Sequence, residues 1–419
     1  LQDAAGLMFL PPDAQRHALV RQQILFAAGH QYREGDVQHW WHPDGMDAHV
    51  ARGVRTRVSD DLLFLPYVTL LYLQKTGDSS ILDAPAPWLD SPPLMPQERE
   101  RLEEAPVSQD SASVWEHCRH VLACVMERGC GPHGLAHIGG GDWNDAMNEV
   151  GIAGHGESVW LSWFAALVFE QMAAYGENRC DADTIFSWRR FSRELTDAAY
   201  AAWDGDHFLR GWHDDGTPVG SAQSDACKID AISQAFCAFV EPPAPASPAE
   251  AAQREVRRIQ ALRSAVRSLY DGTVVRLFDP PFTTESKQDP GYIKGYTPGV
   301  RENGGQYTHG AIWLAMGLLR AGLADEGARI LSSLAPSQRH GYRAEPYYIA
   351  ADVYTAPQLY GRAGWTIYTG AAGWYLRAVL DELLGLHFLP GRLEIVPRLP
   401  SGWPGYQARY EKDGVCVCI

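Results

Sequence analysis

The sequence predicts a mainly α fold in which helices form a closed ring or an open solenoid. Two observations predict it. Most of the 419 residues fall into segments whose apolar residues recur at helical spacing. The segments are separated by long loops rich in Gly, Trp, His and Asp, at irregular intervals and without a short repeat. Long polar loops between successive helix pairs favour the ring, with the loops gathered at one mouth.

In chain order the helices are expected at Gln15–Tyr32, Asp61–Thr76, Val114–Arg128, Glu157–Tyr175, Asp183–Ala202, Lys228–Val240, Ala249–Tyr270, Gln306–Ala321, Asp325–Leu334 and Ala371–Leu384. The third opens with Ser113 and Glu116, a capping box. The seventh opens with Ser247, Pro248 and Glu250, and proline suits a first helical turn. Gly77 after Lys75-Thr76 is a stop signal. Glu241-Pro242-Pro243-Ala244-Pro245-Ala246 reads as a surface connection. From about Gly385 the pattern changes: Leu393 and Ile395 alternate with Arg392 and Glu394, among Pro390, Pro397, Pro400 and Pro404. Residues 1–384 therefore read as one helical catalytic domain, and residues 385–419 as the start of a β domain that is cut short.

Composition narrows the function. A net charge of −15 excludes a general nucleic-acid binder, whose partner's phosphates need Lys and Arg surfaces. It leaves room for a local anion site built from a few side chains. The 14 tryptophans and 18 tyrosines exceed what a core needs and suit a carbohydrate cleft. Eight cysteines without a CxxC pair read as free thiols in a reducing compartment. The longest apolar run, Leu62–Leu73, is too short to span a bilayer and contains Pro66. A cytoplasmic location is expected.

One stretch carries chemistry. Gly141-Asp142-Trp143-Asn144-Asp145-Ala146-Met147-Asn148 sets two carboxylates around an indole on a glycine-rich loop before a helix. An indole stacks on the apolar face of a pyranose, and a carboxylic acid protonates a leaving glycosidic oxygen. The competing structural reading has Asp capping the next helix and Trp packing in the core. His39, His42, Asp44 and Asp47 are suggestive of metal ligands, but their spacing fits no standard zinc site, and no metal is expected. Gly139-Gly140-Gly141 follows no parallel β pattern and is not a nucleotide fingerprint.

The same loop, with Gly156-Glu157-Ser158-Val159-Trp160 after it, resembles the inverting glycoside phosphorylases of glycoside hydrolase family 94. Further matching stretches are Arg55-Thr56-Arg57-Val58-Ser59-Asp60-Asp61, Arg301-Glu302-Asn303-Gly304-Gly305-Gln306-Tyr307-Thr308-His309 and Gly364-Trp365-Thr366-Ile367-Tyr368-Thr369-Gly370. The ordered set runs from about residue 20 to 410. With Gln38-His39-Trp40-Trp41-His42-Pro43, it is most similar to the phosphorylase-like region of cyclic β-1,2-glucan synthases. The resemblance implies an (α/α)6 barrel and a longer parent, inner-membrane associated, with an N-terminal β-sandwich absent here; homodimers are common in the family. It implies no cofactor, and inorganic phosphate as co-substrate of a β-linked oligosaccharide.

The resemblance also implies residue roles. Asp145 is the general acid, which must be kept protonated by burial or by neighbouring carboxylates; Asp142 either supplies that repulsion or holds the loop. His309, Thr369 and Gly370 bind phosphate, the last two where a helix N-terminus favours an anion. Arg55 and Asp61, with Arg57 and Asp60 as close alternatives, clamp the reacting sugar. Arg301 and Glu302 face the leaving group. Trp143 is a stacking platform, with Trp160 and Trp365 weaker candidates. One acid suffices, because phosphate is already an anionic nucleophile. An inverting hydrolase on the same scaffold would need a second carboxylate to activate water, for which Glu302 or Glu157 are available. A third reading is a region that binds glucan without turning it over.

Overall fold

The computed structural model of the chain describes residues 1–46, 50–241, 247–335, 343–345, 347–365, 369–412 and 415–419; of residues 43–46, 369, 411, 412, 415 and 417 it describes the backbone alone. Helices come in chain order as α1 (Gln2–Ala5), α2 (Ala14–Ala28), α3 (Phe64–Thr76), α4 (Val114–Arg128), α5 (Val159–Gly176), α6 (Ala182–Ala201), α7 (Ala231–Phe236), α8 (Pro248–Leu269), α9 (Thr308–Arg320), α10 (Ala324–Leu334) and α11 (Thr369–Arg377). The odd-numbered members touch in succession, α1 to α3, α5, α7, α9 and α11, and α11 packs back on α1. The even-numbered helices lie outside them.

Sequence chemistry explains the two layers. Phe64–Leu73 of α3 and Thr308–Leu319 of α9 are buried throughout, as is most of α5, because these helices are apolar on every face. By contrast α6 buries Ile185, Trp188, Ser192, Leu195, Thr196 and Ala199, one stripe at helical spacing, with charge on the other side. Side-chain caps fix the starts: Asp13, Ser113, Ser158, Asp181, Asp230 and Ser247 each accept from a backbone amide of their own helix. Gly77, at φ 71°, ends α3 in the left-handed conformation. Trp313 of α9 lies among Trp160 of α5, Phe236 of α7 and Trp374 of α11, joining four inner helices through ring contacts.

Three expectations change. A four-stranded antiparallel sheet, β1 (Gln38–Met46), β2 (Val50–Thr56), β3 (Pro85–Leu89) and β4 (Glu100–Ser113), projects from the helical body in the order β1-β2-β4-β3, so β structure is not confined to the C-terminus. The segment expected as helix Lys228–Val240 is a short strand followed by α7 alone, because Asp230 caps the chain only at Ala231. The last expected helix, Ala371–Leu384, is α11 followed by a turn of π-helix at Ala378–Leu383. Beyond it, Leu386–Leu389 pairs with Arg392–Ile395, and Arg409–Lys412 with Val415–Cys418.

All eight cysteines are free, with Cys118, Cys124, Cys227 and Cys237 buried. Among the described residues, no helix is long and apolar enough to cross a membrane.

Candidate active site

The N-terminal ends of the inner helices, and the loops leading into them, surround a cavity of about 790 Å³. The glycine-rich loop forms one wall. Gly139 and Gly141 have φ of 59° and 115°, and a Cβ on Gly139 would come within 2.6 Å of the Arg57 carbonyl oxygen. That close approach lets the Gly140 amide donate to Arg57 O, and the Ser59 amide and hydroxyl to Gly141 O. The segment before α3 and the loop before α5 thus become one surface, which brings Asp60, Asp61 and Asp145 together.

Asp145 lines the cavity. Burial pushes its carboxyl up. Bonds from His39 and Tyr292, and the charges of His39 and Arg301, outweigh that and hold it below its ordinary range. Burial raises it as expected, but the neighbours acting on it are His39, Tyr292 and Arg301 rather than carboxylates, which corrects that half of the expectation. His39 Nδ1 lies 2.7 Å from Asp61 Oδ2 and its Nε2 3.7 Å from Asp145 Oδ2. Burial opposes its charge, but the two carboxylates raise its pKa to about 11. Its role beside the acid was not read from the sequence, which singled it out only in the Gln38–Pro43 stretch and among residues suggestive of metal ligands. Asp44 has no described side chain and Asp47 lies outside the described residues, and among those described no group of His, Cys, Asp and Glu is placed to hold a metal.

Asp142 is fully buried beside Asp145. One oxygen accepts from Arg210 at 2.5 Å and from the Asn144 amide at 3.1 Å, and the other from Ser158 at 2.6 Å. Arg210 is itself buried, reaches Ser158 Oγ at 2.9 Å, and lies 3.5 Å from Asp230. Asp142 borders the cavity, and both its oxygens accept bonds that hold the loop, the second of the two readings given for it.

Arg55 is also corrected. Its guanidinium grips Asp36 in two bonds of 2.7 Å, reaches Glu34 at 3.0 Å, and lies over the Tyr32 ring. It is buried behind the cavity wall, whereas Asp60 and Asp61 both line the cavity. Arg57 is likewise turned away, donating to the carbonyls of Glu98 and Met95.

Across the cavity stand the first turns of α9 and α11. His309 is buried, its Nδ1 has no hydrogen-bond partner among the described residues, and burial lowers its pKa to about 4, so it is neutral. A Cβ on Gly370 would sit 2.9 Å from His309 Nε2, so only glycine lets the two meet. The Thr369 side chain lies outside the described residues. Trp143 packs edge-on against Tyr307, 5.1 Å between ring centres, and tilts toward His309. Arg301 holds φ 52°, stacks over Tyr296 and Trp365, and lies 3.3 Å from Glu302. Burial raises the Glu302 carboxyl. Trp365 is half exposed on the cavity rim; Trp160 is core. Glu157 is buried, accepting from the His133 and Leu135 amides, and does not line the cavity.

Comparisons with known proteins show what the chain is similar to. The chain is 42% identical to the cyclic beta-(1,2)-glucan synthase NdvB of Rhizobium meliloti (strain 1021), over 99% of its own length but 14% of that protein. It is 30% identical to a solabiose phosphorylase of Paenibacillus borealis, over 96% of its length and 48% of the relative. The chain thus spans half or less of these relatives. A GH63 mannosylglycerate hydrolase from Thermus thermophilus, solved in complex with glucose, shares the fold at a TM-score of 0.53 and 12% identity, covering 90% of this chain and 91% of that one. The profile of the Glycosyl hydrolase 94 superfamily, catalytic domain, matches residues 1–385, and the chain belongs to that family.

Proposed function

We propose that this chain is an inverting glycoside phosphorylase domain built as an (α/α)6 barrel. It cleaves β-glucosidic bonds, in the first place those of β-1,2-linked glucan, with inorganic phosphate, and releases α-glucose 1-phosphate. Asp145 protonates the bridging oxygen. Phosphate, held by His309, Thr369 and the amide of Gly370, attacks the anomeric carbon from the opposite face. Asp61 and Asp60 bind the reacting sugar, Trp143 stacks on it, and Arg301, Glu302 and Trp365 face the leaving group.

The observation that carries this reading is the pairing of one acid with an anion-holding wall. Asp145 shares its cavity with His309 and Gly370, at the first turns of α9 and α11, where helix dipoles and free amides favour an anion. The hydrolase reading is weaker, because its candidate bases are committed: Glu157 to backbone amides and Glu302 to Arg301. Similarity to NdvB supports β-1,2-glucan as substrate. Residues 385–419 are read as a separate β unit, the greater length of the relatives supports a longer parent, and a homodimer in the family manner is expected.

The test measures glucose 1-phosphate released from β-1,2-oligoglucan with and without inorganic phosphate. Phosphate-dependent release that falls about 10²–10⁴-fold in Asp145→Asn is expected. Free glucose released without phosphate would establish the hydrolase instead. Oligoglucan binding that Asp145→Asn leaves unchanged, with no product in either buffer, would establish a binding region.

A further inference from the structure

The proposed chemistry needs a proton on Asp145, yet its surroundings favour the carboxylate. The source of that proton is visible in β1. Gln38 pairs with Arg55 and Trp40 with Val54, so β1 carries one residue more than β2 at this point. The extra residue is His39. A bulge releases its side chain from strand alternation and re-aims it. Gly53 makes the bulge possible: a Cβ there would meet Gln38 Oε1 at 2.5 Å and Trp40 O at 2.7 Å. The imidazole is delivered between Asp61 on one nitrogen and Asp145 on the other.

We infer that His39 is the positioning residue that supplies the proton to Asp145, held for that task by Asp61. The inference rests on the phosphorolysis reading. Asp61 accepts from Nδ1–H, which turns Nε2–H toward Asp145. In the first step the Nε2–H bond breaks and an O–H bond forms on Asp145, so imidazolium and carboxylate become imidazole and acid. Asp145 then passes this proton to the bridging oxygen. The bond from that oxygen to the anomeric carbon breaks, its electron pair stays on the oxygen, and a phosphate oxygen lone pair forms the new bond. The ester product sheds the proton that hydrogen phosphate brought, and solvent returns one to His39, so the protons balance.

The groups around the pair fit this role. Asp61 faces His39, and beside it lies the buried Asp60, whose carboxyl is pushed well up by burial and by the charges of Asp61 and Asp142. Tyr292, Arg301 and Glu302 face Asp145 from the loop before α9. Among these groups His39 alone reaches both Asp61 and Asp145. The shifts describe the resting state, imidazolium beside carboxylate, and oppose the transfer, which uptake of the proton by the bridging oxygen must draw forward.

Two measurements test it. The first follows the His39 ring nitrogens by NMR through a pH titration of the free chain, which requires no turnover. His39 is expected to stay cationic to at least about pH 9, and to titrate at least about one unit lower in Asp145→Asn. A neutral His39 at neutral pH, or one indifferent to Asp145→Asn, overturns the inference. The second compares the pH dependence of phosphorolytic kcat/KM in wild type and His39→Gln, which keeps an N–H for Asp61. The alkaline limb is expected to move at least about one unit toward acid, because Asp145 alone must then hold the proton. A profile merely scaled down, with its limb in place, overturns the inference in favour of a structural role. Absence of phosphate-dependent product sinks the phosphorolysis reading by itself, and the NMR titration still decides whether His39 carries the proton toward Asp145.

Discussion

Replacing Arg210 by Met should loosen the loop that carries Asp145 and destabilise the whole chain by a predictable amount. Arg210 is 1% exposed and Asp142 fully buried, and Arg210 also neutralises the buried Asp230. Removing one partner of such a pair leaves an uncompensated buried charge, at a cost of about 3–5 kcal/mol. Unfolding entropy of about 2.1 cal/mol/K per residue, over 419 residues, is roughly 0.9 kcal/mol/K. The melting temperature should therefore fall by about 3–6 °C at about pH 7.5, read by circular dichroism. The deficit should also depend on pH. Burial already raises Asp230 to about 6 with Arg210 present, and without it that carboxyl moves further up. A carboxyl raised in the folded state costs stability above its folded pKa and is relieved as pH falls toward its unfolded value near about 4. The gap between variant and wild type should thus narrow at about pH 5, and Asp142→Asn should recover part of it when combined with Arg210→Met. A melt within about 1 °C of wild type at neutral pH would refute the reasoning.

Gly370→Ala should raise the KM for phosphate at least tenfold while the melting temperature holds, because the added methyl pushes on His309; initial rates against phosphate concentration check it. Arg55→Met should lower stability by about 3–5 kcal/mol, since it strands Asp36 behind the cavity, yet leave KM for glucoside within about threefold, which melts and kinetics separate. His309 contributes acid sensitivity. Its folded pKa of about 4 lies below the ordinary value near 6.5, so the unfolded chain binds the proton more tightly and stability is lost as pH falls through that window. The loss amounts to about 3 kcal/mol by about pH 4, and His309→Asn should abolish that part of the melting-temperature decline between about pH 7.5 and 4.5.

The helices were legible wherever composition and caps agreed. Val114–Arg128 was read to the residue because Ser113 and Glu116 mark its start and its apolar spacing ends with it. The sheet was invisible for a physical reason. β4, from Glu100 to Ser113, is largely solvated and rich in charge and hydroxyls, so it lacks the apolar alternation that marks a half-buried strand. In the site, the loop motif pointed to Asp145, Trp143 and the caps around them. What sequence could not separate was reach from identity. Arg55 and Asp61 sit in one short stretch, but β2 carries Arg55 under the sheet while the turn before α3 aims Asp61 into the cavity. Asp142 could be read either as a charge beside the acid or as an anchor of the loop, and only the distant Arg210 favours the anchor.

The return of α11 to α1 has a consequence for biosynthesis. Residues 2–9 and 369–377 seal the ring, with Trp374 Nε1 donating to Gln2 Oε1 at 2.8 Å. These partners leave the ribosome roughly 360 residues apart, which at about 5–20 residues per second is roughly 20–70 s. Through that interval the flank of residues 2–9 that α11 will cover waits for a neighbour that does not yet exist. Whatever shields that flank during synthesis, a chaperone or a preceding domain, governs the yield of folded chain more than any single contact in the finished ring.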